Sequence, residues 1–345
     1  MKLALVLGYS GARMSLPVAQ VIRAEQLGFD AVFCAETYSS DAFTPLAYLG
    51  ALTKRIKLGT SIAILSARSP ANLAMCAQTI DAMCGTGRMM VGLGTSGPQV
   101  AEGWYGQPWG RPNYRIRDYV AIVKKILRRE GPVTHDGKEI SLPYKGPGAS
   151  GLGKPLKSIL HGNPNIPIVL GTDTELNIRM TGEIADGWIC MNWIPGKTVE
   201  RYKVLLEEGL ARRTDGKTMK DFFIQVPVDV KVTDDVKAAI QAAKPEIALY
   251  VGGMGAKDKN FHVEKMAKRG FSEAALRIQE LFLAGRKEEA AAAVPDEFVD
   301  EGALFGPRER IRQRFQVLAD SGVTQLSIRR FDDETMEVMS KIAAA

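Results

Sequence analysis

The chain has 345 residues, 46% of them apolar and 24% charged, which suits one large α/β domain or two ordinary ones and excludes a disordered chain. Lysine and arginine exceed aspartate and glutamate by 45 to 39, an excess spread along the sequence with no basic arm or stripe, so nucleic acid is not expected as a partner. Cys34, Cys76, Cys84 and Cys190 lack C-x-x-C spacing and His135, His161 and His262 lie far apart, so neither a disulfide framework nor a metal site is expected.

Leu3 to Tyr9 is nearly continuous in apolar residues and reads as a buried parallel strand. It is too short for a signal peptide, and no later run reaches the length of a membrane span, so a cytoplasmic protein with no membrane partner is expected. Leu16 to Leu27 has helical spacing, with Pro17 near its start and Gly28 after its end. The alternation repeats, with strands at Ala31 to Glu36, Ile56 to Ile62 and Arg88 to Gly94, and helices at Thr44 to Thr53 and Asn72 to Met83.

From Thr95 to Pro112 glycine and proline recur too often for a long helix. Helical period resumes over Tyr114 to Arg129, a hairpin turning at Asp136-Gly137 is predicted over Val133 to Tyr144, and Lys145 to Pro155 reads as loop. Strands follow at Ile166 to Gly171, Gly187 to Asn192 and Phe222 to Val232, separated by helices at Glu175 to Ala185 and Lys197 to Arg213. Thr233 to Phe305 is mostly helical, Gly306-Pro307 opens another helix, and Thr324 to Arg330 is the last strand. Eight strands with helices between them predict an α/β fold, a (β/α)8 TIM-type barrel forming one domain over 1–345. An excursion at 95–165 follows its fourth strand and a helical insertion at 233–305 its seventh. A doubly wound sheet is the alternative.

Gly92-Leu-Gly-Thr-Ser-Gly97 matches G-x-G-x-x-G behind a strand. A nicotinamide-binding turn also needs a helix opening inside the motif and an acidic residue at the end of the next strand. Pro98 to Pro112 is too broken for such a helix, Asp118 lies in a helical pattern, and three βα units precede the motif. A barrel gives the motif another use, because its strands end in ligand-contacting loops. Ala35-Glu36-Thr37-Tyr38, Gly59-Thr60-Ser61-Ile62, Gly94-Thr95-Ser96-Gly97 and Gly171-Thr172-Asp173 are four such ends, rich in small and hydroxyl residues. Glycines needed only for a tight strand exit remain a competing explanation.

These segments resemble the bacterial luciferase-like superfamily of flavin and deazaflavin oxidoreductases. The likeness lies in Gly28-Phe-Asp-Ala-Val-Phe-Cys-Ala-Glu36, Arg55-Ile-Lys-Leu-Gly-Thr-Ser-Ile62, Gly87-Arg-Met-Met-Val-Gly-Leu-Gly94 and Thr181-Gly-Glu-Ile-Ala-Asp-Gly-Trp188. Ser96-Gly-Pro-Gln-Val-Ala-Glu-Gly-Trp-Tyr-Gly106 and Tyr250-Val-Gly-Gly-Met-Gly-Ala-Lys-Asp-Lys-Asn-Phe261 resemble the group that uses coenzyme F420. The resemblance implies F420 as cofactor, with FMN as the alternative, a small-molecule substrate and a homodimer or higher homo-oligomer.

It also implies a site. Glu36 falls where the family commonly has a carboxylate near the deazaflavin ring. Ser61-Ile62-Ala63 falls where it has a non-prolyl cis peptide behind the central ring. Gly94, Thr95, Ser96, Gly97 and Gln99 would contact the cofactor from one side, and Gly171 and Thr172 from the other. Glu36, Thr37 and Tyr38 are the candidate catalytic residues. The sugar-phosphate and alcohol dehydrogenases of the superfamily have a histidine after the carboxylate. Thr37 stands there instead and cannot trade a proton near neutral pH, which favours reduction of an activated C=C or C=N bond over alcohol dehydrogenation. An FMN-dependent monooxygenase and a barrel that binds without turnover are the alternatives, and a nicotinamide dehydrogenase is a more distant one.

Several residues have a plainer explanation beside the functional one. Asp41 suits a helix cap before Thr44-Pro45. Trp104 and Tyr105 could line a pocket, or Trp104 could anchor the excursion. Asp186-Gly187-Trp188 suits a turn into a strand. Arg111, Arg115, Arg117, Lys154 and Lys157 could hold an anionic cofactor tail or simply be solvated. Gly252 to Gly255 could end a helix or hinge a lid.

Overall fold

A computed structural model describes residues 1–254 and 260–345. Its strands are β1 (Lys2–Leu7), β2 (Ala31–Cys34), β3 (Lys57–Thr60), β4 (Ala63–Ile64), β5 (Met89–Gly94), β6 (His135–Asp136), β7 (Ser141–Leu142), β8 (Ile168–Gly171), β9 (Gly187–Ile189), β10 (Phe223–Val232), β11 (Ala303–Gly306) and β12 (Gln325–Ile328). The main sheet runs β11-β10-β12-β1-β2-β3-β5-β8-β9, and β9 also pairs β10. That last pairing closes an eight-stranded parallel barrel of β1, β2, β3, β5, β8, β9, β10 and β12, the fold that the alternating pattern predicts. β4 adds to β5, and β6 with β7 forms a separate antiparallel hairpin.

By its internal contacts the chain divides into two units. One comprises Lys2–Cys190 with Val204–Gln225, the other Met1, Met191–Lys203 and Val226–Ala345. In the first, adjacent parallel strands align residue to residue, so partners face the same side: Ala4 with Ala31, Val6 with Phe33, Gly59 with Met90, Gly92 with Val169, Gly171 with Ile189. Ala4, Ala31, Phe33, Met90, Val169 and Ile189 form one buried cluster, with Val6, Ile62 and Phe223 packed on it. Layers of this kind fill a barrel.

Helix Pro70–Cys84 begins with Pro70 at its first turn, and the Ser69 hydroxyl accepts from the Asn72 N–H at 3.2 Å. Between β5 and β8 the chain forms helix Pro98–Gly103, helix Pro112–Arg128 and the hairpin. The six-residue helix lies in the stretch read as too broken for a long helix, and Pro98 suits its start because it removes no needed donor there. Asp118 sits in the middle of the long helix and is buried. Its carboxylate accepts from the N–H groups of Glu139 (2.7 Å) and Ile140 (3.0 Å) and meets His135 Nε2 at 3.0 Å, tying the hairpin to the helix. Asp118→Ala strands two half-buried N–H donors, so we expect a loss of about 1 kcal/mol and faster amide hydrogen exchange at Glu139 and Ile140. Unchanged protection at both amides would contradict this.

The second unit is mostly helical. Helices Val236–Gly253, Phe261–Lys268, Ser272–Leu283, Lys287–Ala292 and Asp296–Glu301 pack around Ile240, Ala248, Met266, Ile278, Leu281 and Val294. Arg269 is buried among them, donates to the Phe298 carbonyl and to Glu301, and lies 3.8 Å over the Phe298 ring. Burial lowers its pKa from the ordinary arginine value in spite of Glu301. Gly252 and Gly253 continue helix Val236–Gly253 against Phe282, and the helix ends at Met254. Gly255 and residues 256–259, part of the F420-like segment, lie outside the described residues.

One strand departs from the expected pattern. Ala303–Gly306, assigned by its composition to the end of the helical stretch, is β11. β10 is ten residues long, so its first part, Phe223 to Gln225, pairs β9 and its last part, Asp229 to Val232, pairs β11. Four residues are too few for periodicity to show a strand. Among the described residues no helix is long and apolar enough to cross a membrane.

Candidate active site

The candidate residues gather where β2, β3, β5 and β8 end. β2 leads into Ala35, Glu36, Thr37 and Tyr38. β3 leads into Ser61, whose peptide bond to Ile62 is cis, as the resemblance implies. Buried Thr60 just before it donates its hydroxyl to the Gly92 carbonyl at 2.7 Å and accepts from the Gly92 N–H at 2.9 Å, pinning β3 to β5.

Gly92 and Gly94 are glycines because of what lies over them. A Cβ on Gly92 would fall 2.0 Å from the Thr60 carbonyl oxygen. A Cβ on Gly94 would fall 2.3 Å from Ile62 Cδ1, and one on Gly171 would fall 3.1 Å from Ile62 Cγ2. Half-buried Ile62 thus lies across both glycines as an apolar seat. Ala63 is buried behind it in β4. At the rim, Ser61, Thr95 and Gly97 are half-buried and Ser96 and Gln99 exposed. Ser96 adopts left-handed backbone, φ 58°, as the chain turns from β5 toward helix Pro98–Gly103.

Glu36 is buried yet fully engaged. Its Oε1 accepts from the Ile64 N–H at 2.8 Å and its Oε2 from the Ala42 N–H at 3.1 Å. Arg68 Nη1 donates to both oxygens, at 2.7 and 2.8 Å. Arg68 also reaches Asp41 at 3.4 Å and lies 4.8 Å from the centre of the Phe43 ring. Burial works against its charge, but Glu36 and Asp41 outweigh it and hold its pKa above the ordinary arginine value. Sequence reasoning missed Arg68. It stands alone before the Ser69-Pro70 helix start, and its partner lies 32 residues away, a separation that no periodicity shows.

Asp41 serves as the cap its position suggests, accepting from the N–H groups of Phe43 and Thr44 at 2.8 Å each. Tyr105, not Trp104, anchors the excursion. Its hydroxyl donates to the Thr37 carbonyl at 2.6 Å, and burial together with the Glu36 charge raises its pKa above the ordinary tyrosine value. Tyr38 and Trp104 remain exposed, at 50% and 63%, and meet edge to face with ring centres 6.5 Å apart. Cys34, at the end of β2, is no nucleophile at neutral pH, since burial and Asp41 push its thiol up to about 12.

Other candidates are occupied by the protein itself. The Thr172 hydroxyl meets that of Thr181 at 2.9 Å, and the Thr172 carbonyl accepts from Trp188 Nε1 at 2.8 Å. Arg117 is held bidentately by Glu183, and Arg111 and Arg115 face Glu139. These arginines are therefore committed to internal pairs, while Lys154 and Lys157 are exposed. Asp186 accepts from the Ile168 N–H and from Lys217, a structural tie at the start of β9.

The luciferase-like monooxygenase family model matches residues 7–325. A Mycobacterium tuberculosis protein, provisionally named a coenzyme F420-dependent oxidoreductase, is 44% identical over 95% of this chain and 94% of its own length. The 5,10-methylenetetrahydromethanopterin reductase of Archaeoglobus fulgidus is 28% identical over 88% of this chain and 86% of its own. Among solved structures, the coenzyme F420-dependent tetrahydromethanopterin reductase of Methanopyrus kandleri superposes with a TM-score of 0.78 at 21% identity, covering 99% of this chain and 97% of that one, and shares the barrel. With the family model, the relatives and the barrel in agreement, the chain belongs to the luciferase-like monooxygenase family and is an oxidoreductase built on its barrel.

Proposed function

We propose that this protein transfers hydride between coenzyme F420 and an organic substrate with an activated C=C or C=N bond. The observation that carries the proposal is the Ile62 seat. An apolar side chain lies over Gly94 and Gly171, with the polar groups of Ser61, Thr95, Ser96 and Gln99 at its edge. A flat ring needs such an apolar seat, and a polar side chain on that ring needs hydroxyls and amides beside it. The names of the M. tuberculosis relative and of the M. kandleri structure support F420 chemistry, and that of the A. fulgidus relative, a methylenetetrahydromethanopterin reductase, supports reduction.

Ser61, Ile62 and Ala63 would seat the ring, and Gly94, Thr95, Ser96, Gly97 and Gln99 would hold its side chain. Gly171 keeps the far wall low, and Thr172, bonded to Thr181, keeps that wall rigid. When bound, the deazaflavin supplies or accepts the hydride, and the protein supplies position and electrostatics. Thr37 and Tyr38 stand beside Glu36 on the loop after β2 and are the side chains that would face substrate. Neither is an imidazole, so alcohol dehydrogenation has no general base of the ordinary kind here. The test is oxidation of reduced F420 by the protein in the presence of enones, imines and quinones. Turnover with an enone or imine supports the proposal; no turnover with either, while secondary alcohols reduce oxidised F420 in a parallel assay, would replace it.

A further inference from the structure

We infer that Glu36 and Arg68 form a positioning pair for the cofactor seat, with Glu36 shaping the Ser61 to Ala63 segment and carrying no proton during turnover. The inference rests on the proposed cofactor site at this strand end.

The hydrogen-bond partners of the Glu36 carboxylate are nitrogen donors: the N–H of Ile64, the N–H of Ala42 and Arg68 Nη1 on both oxygens. A proton placed on either oxygen would point at another hydrogen, so protonation would cost at least one of these bonds. The carboxylate is thus arranged to accept, not to donate. Its grip is also directional. The Glu36 backbone N–H donates to the Ile62 carbonyl at 3.3 Å while its side chain holds the Ile64 N–H at 2.8 Å. Main chain and side chain of one residue therefore bracket Ile62 and Ala63, and displacing the carboxylate displaces the seat.

Arg68 holds the carboxylate in turn. The two side chains are 14% and 2% exposed, and a carboxylate that deep needs a countercharge. Arg68 is itself fixed by the Phe43 ring, by Asp41, and by the Tyr119 hydroxyl, which donates to the Arg68 carbonyl at 3.0 Å.

A double-mutant cycle of Glu36→Gln and Arg68→Met, with Arg68→Lys as the conservative variant, tests this. Glu36→Gln turns an NH2 toward N–H donors. Three quantities are read: the F420 dissociation constant by fluorescence quenching, the pH profile of kcat/KM, and thermal unfolding without cofactor. Each single change should weaken F420 binding by about tenfold to a hundredfold, the cost of losing one isoleucine's apolar contact with the ring. The double variant should be no worse than the weaker single one, Arg68→Lys should recover much of the loss, and the Glu36→Gln pH profile should keep both limbs of the wild-type one. Wild-type F420 affinity in Glu36→Gln, loss of one limb of its pH profile, or additive losses in binding and unfolding would overturn the pairing. Should Glu36→Gln fail to fold, Arg68→Met against Arg68→Lys decides by the same affinity readout. Should the wild type bind FMN and not F420, the proposed function falls, and the same cycle read on FMN still decides the pair.

Discussion

Gly92→Ala is expected to destabilise the barrel by about 3 kcal/mol, seen as a lower urea midpoint with an unchanged slope. The added Cβ would lie 2.0 Å from the Thr60 carbonyl oxygen, 3.1 Å from its carbonyl carbon and 2.9 Å from Ile189 Cδ1. Backbone is what obstructs it, and that backbone cannot yield without breaking a pin. The Thr60 hydroxyl bonds both the N–H and the carbonyl of Gly92, so moving β3 from β5 costs two buried hydrogen bonds. A loss below about 1 kcal/mol would mean that the strands separate more easily than this geometry allows.

Gly94→Ala should have a different outcome two residues further on. Its Cβ meets the tip of a side chain, Ile62 Cδ1 at 2.3 Å, with no backbone atom nearer than the Gly171 carbonyl oxygen at 3.5 Å. Ile62 can turn aside, so the stability cost is about 1 kcal/mol, but the seat turns with it. With the apolar contact of one isoleucine lost, we expect F420 affinity to fall by about tenfold to a hundredfold in a protein that remains folded. Two alanines on one face of one strand thus separate packing from binding. A Gly94→Ala protein as unstable as Gly92→Ala, or one that binds F420 like the wild type, would break the link between Ile62 and the cofactor.

The barrel was legible because its first strands are near-continuous apolar runs, as strands buried on both faces are, while β10 and β12 alternate and were marked by the helical segments around them. Their ends were less so. The strand expected over Ala31 to Glu36 ends at Cys34, because composition does not mark the last ladder bond. β11 escaped for the opposite reason, being a strand too short to have a period.

The site was legible in part. Glycines, hydroxyl residues and one carboxylate at strand ends marked where ligand could approach, and the Ser61-Ile62 cis bond agreed with the resemblance. Long-range pairing was not readable. Nothing local says that Arg68 reaches back to Glu36, that Arg117 is taken by Glu183, or that the Thr172 hydroxyl faces Thr181. Residue type shows what a side chain can do, and only the fold shows whether a neighbour has already claimed it.

The central claim, that the barrel mouth around Ile62 holds a deazaflavin, is tested most directly by equilibrium titration of the purified wild-type protein with F420 and, separately, with FMN, following quenching of each fluorophore. Saturable quenching of F420 at one site per chain, weakened in Gly94→Ala and with no comparable FMN binding, is the result expected. Tight FMN binding with no F420 quenching, or F420 binding untouched by Gly94→Ala, would contradict it.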